Sequence, residues 1–430
     1  MVPSKMWLRA AAFLGATTLF GCAHPSLREP VTTTISVLLP PSERPFWQPI
    51  ARAYEAAHSG VRVDLVEGPQ STDLRESLYT TSLLARDPTF DLVYLDVTWT
   101  PKFVAAGWLR ALDDSFPSSE RERYLSDDWD AGVFDGHLYR VPVRTDMGLL
   151  LYRSDWLTER GIPPPATFEQ LTADAQALGA PPERWGYVWQ GAQYEGLVCN
   201  YLEVLSGYGG YWIDPRTNDI GLDDPEAVAA AHFLVDCARV HASPSGVATY
   251  QEEESRRIFQ DGRAAFLRNW PYAYRLSQQA GSPLAGKVGV ILMPTNIGGR
   301  PTGTLGGWGL GVSRYSRRPE LALSFIRFAT SVESQRALCA PTGYAPALEA
   351  AYEDSALLAA NPFLTRFHGL HRHVIARPAI PRYAQASDIL QRHLSAALAG
   401  MESPQLALER AAQETRLLLG PRHAARGGGV

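Results

Sequence analysis

From residue 35 the chain alternates short β-branched apolar runs with segments of helical period, and this alternation restricts the fold more than any other feature. "ISVLLP" reads as a buried strand, and "PFWQPIARAYEAAHSG" as a helix closed by a glycine. "VRVDLVEG" is a second strand, and "STDLRESLYTTSLLARD" a second helix opened by Ser71 or Thr72. "FDLVYLD" is a third strand, followed by the helix-like "WTPKFVAAGWL". Strands that alternate with helices pair in parallel, because each crossover carries the chain back over one face. The expectation is an α/β fold with a parallel sheet covered by helices on both faces. Ligands in such sheets collect at the carboxyl ends of strands. Glu43 follows the first strand and Asp96 ends the third, so both border one crevice.

Beyond "VPVRTDMGLLLYRSDWL" the pattern turns mostly helical. "TFEQLTADAQALG" and "PEAVAAAHFLVDCARVH" are helices. "SRRIFQDGRAAFLRNWPYAYRL" reads as a helix, a strand ending at Trp270, then another helix that starts at Pro271. "GKVGVILMP" and the Gly-rich "GGWGLGVS" are strands, and "RPELALSFIRFAT" and "SVESQRALCA" are helices. A chain of 430 residues suggests roughly two or three domains. No internal repeat at a fixed period is visible, and the tail at 421–430 reads as disordered.

The N-terminus is a targeting segment. Lys5 and Arg9 precede "AAAFLGATTLF", too short to span a bilayer as a mature helix, so residues 1–21 read as a signal peptide. "LFGC" then resembles the lipobox of bacterial lipoproteins, although Phe20 is unusual at its position. Cleavage there leaves Cys22 as the lipid-bearing first residue, with residues 22–30 as a tether. The alternative is plain secretion with a chance cysteine. Cys199, Cys237 and Cys339 remain, and an odd number leaves at least one unpaired. Cys199 and Cys237 sit in helix-like apolar stretches and read as buried thiols; a bridge between them stays open.

A net charge of −5 and the lack of a Lys/Arg cluster speak against a general nucleic-acid binder. No phosphate loop, nucleophile elbow or dinucleotide fingerprint is present in the right context. "HRH" at 371–373 has no third ligand string nearby and reads as exposed basic surface, not a metal site. Neither metal nor cofactor is expected. What stands out is 11 Trp, 18 Tyr and 15 Phe, several beside Gly, Pro, Asn or Asp instead of inside apolar runs.

Six strings in order resemble the extracellular solute-binding proteins of ABC sugar importers, in particular the trehalose/maltose-binding group. They are "FDLVYLDVTWTPKFVAAGWLRALDD", "VPVRTDMGLLLYRSDWL", "WGYVWQGAQYEGLVCNYLEVLSGYGG", "RNWPYAY", "LGGWGLGVSRYS" and "RPAIPRYAQASDILQRHLSAALAG". The resemblance covers nearly the whole mature chain. It implies two α/β lobes joined by a hinge, with sugar bound between them and captured by hinge closure. The first lobe would be about residues 31–143 plus 302–346, and the second about 144–301 plus 347–420. Partners would be a sugar, a membrane permease pair and, through Cys22, the membrane itself. The protein would act as a monomer on the outer, periplasmic face of the cell envelope.

A sugar offers weakly apolar ring faces and hydroxyls that both donate and accept. A site for it needs flat aromatic platforms and dense planar polar groups. The resemblance makes Trp270 and Trp308 the platforms, with Gly306 and Gly307 clearing space for close approach. Each tryptophan has a second reading, as core or as a tightly packed strand. Asp96 and Asp146 match positions that accept from sugar hydroxyls, and both also read as helix caps. Glu43, Arg75 and Arg377 match further ligand positions; Arg75 reads equally as a solvated helix charge. Tyr194 and Glu195 line the second-lobe wall, unless Glu195 only braces a helix. Arg144 departs from the group, whose close relatives carry tyrosine there, and so bears on which sugar is accepted.

The rival reading is a secreted glycoside hydrolase with Asp96 and Asp146 as acid and base. It needs one carboxyl lifted by apolar burial, whereas the lobe division sets the two in opposite lobes among polar neighbours. An adhesive or structural lipoprotein would leave hinge and platforms without purpose.

Overall fold

The computed structural model describes residues 32–420 except 215, 241 and 297–299. The signal peptide, the tether with Cys22 and the 421–430 tail lie outside the described residues. Eleven strands matter for the site: β1 Thr33–Leu39, β2 Val61–Glu67, β3 Leu92–Asp96, β4 Val141–Met147, β5 Leu149–Arg153, β6 Trp185–Val188, β7 Ala264–Asn269, β8 Val288–Ile291, β9 Gly303–Val312, β10 Ala345–Pro346 and β11 Val374–Ile375. They form two sheets. The first runs β10-β4-β9-β3-β1-β2, with β11 beside the start of β9; the second runs β8-β5-β7-β6.

The alternating pattern is realised where it was strongest. β1 pairs in parallel with β2 and β3. The helix Arg44–Ala57 between β1 and β2 buries Trp47, Ile50, Ala51 and Tyr54, one face at i, i+3, i+4 and i+7. The sheet is not parallel throughout, however: β9 runs antiparallel to both β3 and β4. β9 enters this sheet from the other lobe and not through a helical crossover within it, so the alternating pattern does not set its direction.

The sheets exchange the chain at Gly148, between β4 and β5. Strand β4 keeps Arg144 to Met147 in the first sheet, where Asp146 stands opposite Gly306. The short helices Glu349–Glu353, Ser355–Ala360 and Phe363–Leu370, which the sequence division assigns to the second lobe, instead form one packed group with the first-lobe helix Val332–Thr342. The helix Tyr383–Leu398 packs on Glu195–Gly207, Pro225–Arg239 and Pro404–Leu419 in the second lobe. Cys199, Cys237 and Cys339 are all buried and free, so the open bridge between the first two is not formed. Among the described residues no helix is long and apolar enough to cross a membrane.

Candidate functional site

β9 is the spine of the site. All ten of its residues are buried, and β3 and β4 flank it. Trp308 on β9 stands opposite Asp96 on β3 and Arg144 on β4. Asp96 and Asp146 therefore belong to one sheet, which corrects the expectation that they face each other from opposite lobes. The reason is the length of β4, which leaves the first sheet only after Met147.

Arg144 gathers the inner end of the cleft. Its guanidinium donates to Glu43 Oε1 at 2.8 Å, to Asp146 Oδ2 and, through Nε, to the Tyr94 hydroxyl at 3.2 Å. Tyr94 in turn donates to Glu43 Oε2 at 2.8 Å. The guanidinium lies 4.0 Å from the centre of the Tyr344 ring. Burial opposes the Arg144 charge, but Glu43, Tyr94 and Asp146 outweigh it and hold its pKa well above the ordinary value. Asp146 goes the other way. Burial lifts it to about 6, helped by Glu43 and Asp128, despite the contact with Arg144.

Trp308 is 7% exposed. Tyr94 stacks on it with centroids 4.8 Å apart, and the Arg75 guanidinium sits 4.6 Å from its ring centre. Arg75 is no solvated helix charge: it is buried and donates to the carbonyls of Pro69 and Gln70 at 2.9 and 2.6 Å. Trp270 is half-buried and more open. It stands between β7 and the helix Pro271–Ser277, its amide donating to Asn269 Oδ1 at 2.8 Å and its indole N–H to Glu252 Oε1 at 3.3 Å. The glycines beside Trp308 have structural reasons of their own. A Cβ on Gly306 would stand 3.1 Å from the Trp270 ring. Gly307 has φ +130°, and a Cβ there would meet the Arg144 carbonyl at 2.8 Å and Asp128 Oδ1 at 2.9 Å.

Arg377 joins the lobes. It donates to Asp96 Oδ1 on the first sheet at 3.0 Å and to Glu195 Oε1 on a second-lobe helix at 2.7 Å. Asp96 also accepts from the amide and hydroxyl of Thr98, at 3.1 and 2.9 Å. Glu195 also accepts from the hydroxyls of Tyr383 and Ser387 on the helix Tyr383–Leu398. Tyr194 is buried at the start of that helix, beside Glu252. Glu43, Arg75, Arg144, Asp146 and Trp308 thus cluster beside the first sheet, and Trp270 and Arg377 meet it from the other lobe.

Beside the Arg377 bridge a cavity of about 200 Å³ opens between the lobes, lined in part by Asp73, Glu76 and Lys102 from one and Glu195, Tyr383 and Ser387 from the other. Burial, then Glu195, Glu76 and Asp96, push Asp73 up to about 7. Sequence reasoning missed Asp73, Tyr94, Glu252, Tyr344 and Ser387, which join the site only through partners far along the chain. Asp73 and Glu76 flank Arg75 on one helix, the one local signal available. The "HRH" reading is corrected in part. His371 is buried, with Nε2 2.9 Å from Thr145 Oγ1 and 3.2 Å from Asp128, whereas Arg372 and His373 are exposed. The packing of the Phe363–Leu370 helix against the first lobe carries His371 inward.

Known proteins share this fold. Residues 40–336 match the sequence profile of the bacterial extracellular solute-binding proteins. A probable ABC transporter-binding protein of Deinococcus radiodurans is 36% identical over 363 residues, 82% of this chain and 86% of that one. The maltose-bound structure of T. maritima MalE3 is also 36% identical, with a TM-score of 0.85 over 90% of this chain and 99% of that one. An α-D-tagatose-bound ABC transporter solute-binding protein from Thermotoga lettingae is 25% identical, with a TM-score of 0.80 over 90% and 100% of the two chains. Two lobes, their crossing strands and the match over most of the sequence lead to one conclusion: this chain belongs to the bacterial extracellular solute-binding protein family, as a sugar-binding component of the ABC transporter type.

Proposed function

We propose that this protein captures a disaccharide or glucoside between its lobes, of the trehalose, maltose, sucrose or glucosylglycerol type, and delivers it to an ABC permease. One observation carries the reading. Among the described residues, four singled out for ligand contact hold a buried polar atom with no hydrogen-bond partner: Arg75 Nε, Asp146 Oδ1, Tyr194 Oη and Arg377 Nε. An unpaired buried polar atom costs about 1–3 kcal/mol, which a ligand hydroxyl relieves. Together they offer two N–H donors, one carboxylate acceptor and a tyrosine hydroxyl that can do either, as sugar hydroxyls require. Likeness to a maltose-bound relative at 36% identity supports the sugar class.

Sugar that contacts both lobes binds the closed state better and shifts the population towards it. The hinge is assigned to Gly148, where the chain passes from one sheet to the other. The protein works as a monomer, held at the membrane by lipid on Cys22; because one acyl chain anchors only marginally, more than one is needed. A thermal-shift screen of these four sugars tests the reading, since ligand that binds only the native state raises its melting temperature. At least one is expected to raise it and to reduce the radius of gyration in solution scattering. No shift with any of them would sink the proposal, and cleavage of the sugar during long incubation would replace it with the hydrolase reading.

A further inference from the structure

Trp270 is propped from within the second lobe. Arg268, two residues earlier on β7, places its guanidinium carbon 4.2 Å from the centre of the indole. Arg268 is itself held fast. Its Nε donates to Glu203 Oε2 at 2.8 Å and its Nη2 to Glu203 Oε1, and neither side chain has any exposure. Nη1 donates to Gln190 Oε1 at 3.1 Å, and Gln190 Nε2 donates back to the Arg268 carbonyl at 2.9 Å. Asn200 Nδ2 donates to the same Gln190 oxygen at 3.1 Å.

The pair also reaches the other lobe. Glu203 Oε1 accepts from the backbone N–H of Thr304 on β9 at 3.1 Å. Thr304 Oγ1 donates to the Cys199 carbonyl, one turn before Glu203, at 3.0 Å. β9 goes on to Gly306, against the Trp270 ring, and to Trp308. Gly148 lies on the same pair: a Cβ there would overlap Glu203 Oε1 and Arg268 Nη2. One carboxylate thus holds the prop of one indole and the strand that bears the other. A buried ion pair of this kind is weak as a source of stability, since well-packed apolar residues often serve equally. Its geometry accounts for it better than its energy.

We propose that Glu203 and Arg268 are positioning residues. They fix the Trp270 indole and tie it to β9, so that ring contact with ligand and apposition of the lobes occur together. This rests on Trp270 being a ligand platform.

The test labels the tryptophans with 5-fluorotryptophan and follows them by fluorine NMR, with the Trp270 and Trp308 signals assigned from W270F and W308F. R268K keeps the charge but removes the flat group under the indole. It is expected to move the Trp270 signal, and E203Q to move both signals, with the other tryptophans unchanged. A Trp270 signal that stays in place in R268K, or a shift spread over all the tryptophans, overturns the proposal. Should R268K not fold, the apolar pair E203L/R268M takes its place under the same readout. Calorimetry with maltose then closes a double-mutant cycle. R268K should weaken binding about three- to thirty-fold in the parent, the range of a cation–π contact, and less than about twofold in W270A. Equal losses in both backgrounds would make Arg268 a general structural residue. W270A binding maltose as tightly as the parent would sink the platform reading alone, leaving the NMR result on Arg268 to stand by itself.

Discussion

Replacing Arg144 by alanine isolates the electrostatics of the inner cleft. Arg144 contacts Glu43 at 2.8 Å and also Asp146, and all three side chains are at most 10% exposed. Truncation strands two buried carboxylates. Breaking a buried pair by removing one partner costs about 3–5 kcal/mol. At ~2.1 cal/mol/K per residue, a protein of this size has an unfolding entropy of roughly 0.8 kcal/mol/K, so the melting temperature should fall by roughly 4–6 °C. The loss should depend on pH, with a sign that follows from Asp146. Its pKa is already about 6 with Arg144 present, because burial and the Glu43 and Asp128 charges outweigh the guanidinium. Without Arg144 it rises further. At pH 5 the carboxyl is then protonated in the folded protein and little strain remains; at pH 8 its charge must be buried unpaired. Scanning calorimetry of the sugar-free protein at pH 5 and pH 8 should show the larger deficit at pH 8, and adding E43Q and D146N to the variant should recover most of it. A deficit of equal size at both pH values would refute the reasoning.

Two further perturbations probe the lobe contacts. Asp73 is lifted to about 7 chiefly by burial and next by Glu195, which belongs to the other lobe. Because its pKa is raised where the two lobes meet, its favourable contribution to that contact is complete below the ordinary carboxylate value of about 4 and is lost as pH rises through about 7. Sugar affinity should therefore fall between pH 5 and pH 8, and D73N should flatten that slope; calorimetric titrations that give the same slope for both proteins would count against it. At Gly148 any side chain collides with the Glu203–Arg268 pair. G148A should lower stability by about 3–5 kcal/mol through overpacking and disruption of that pair, and an unmoved midpoint in urea would show that the crossing has slack.

How much of the site was legible depends on the distance over which each feature is decided. The strands and helices of the first 110 residues could be read directly because their apolar period involves neighbours three or four positions apart. Trp270 could be picked out because Pro271 ends a strand and starts a helix within two residues. The choice of acidic, guanidinium and indole residues for a sugar rests on the resemblance to solute-binding proteins, with the chemistry of those groups as its reason. Pairing is different. Glu43 and Arg144 lie 101 positions apart, and Arg377 and Asp96 lie 281 apart. Nothing near either partner announces the other.

The same limit explains the misplacements. The local pattern shows that the strand bearing Asp146 exists but not with which sheet it pairs. The sequence reads His371 as surface because its burial comes from contact with Thr145 and Asp128, far earlier in the chain. By itself, then, the sequence determined the elements, the class of ligand and the kinds of side chain available to hold it. Only the tertiary structure decided which charges neutralise one another, which indole stays open and where the chain changes sheets, because those are contacts between remote segments, and burial by those segments sets the strength of each charge.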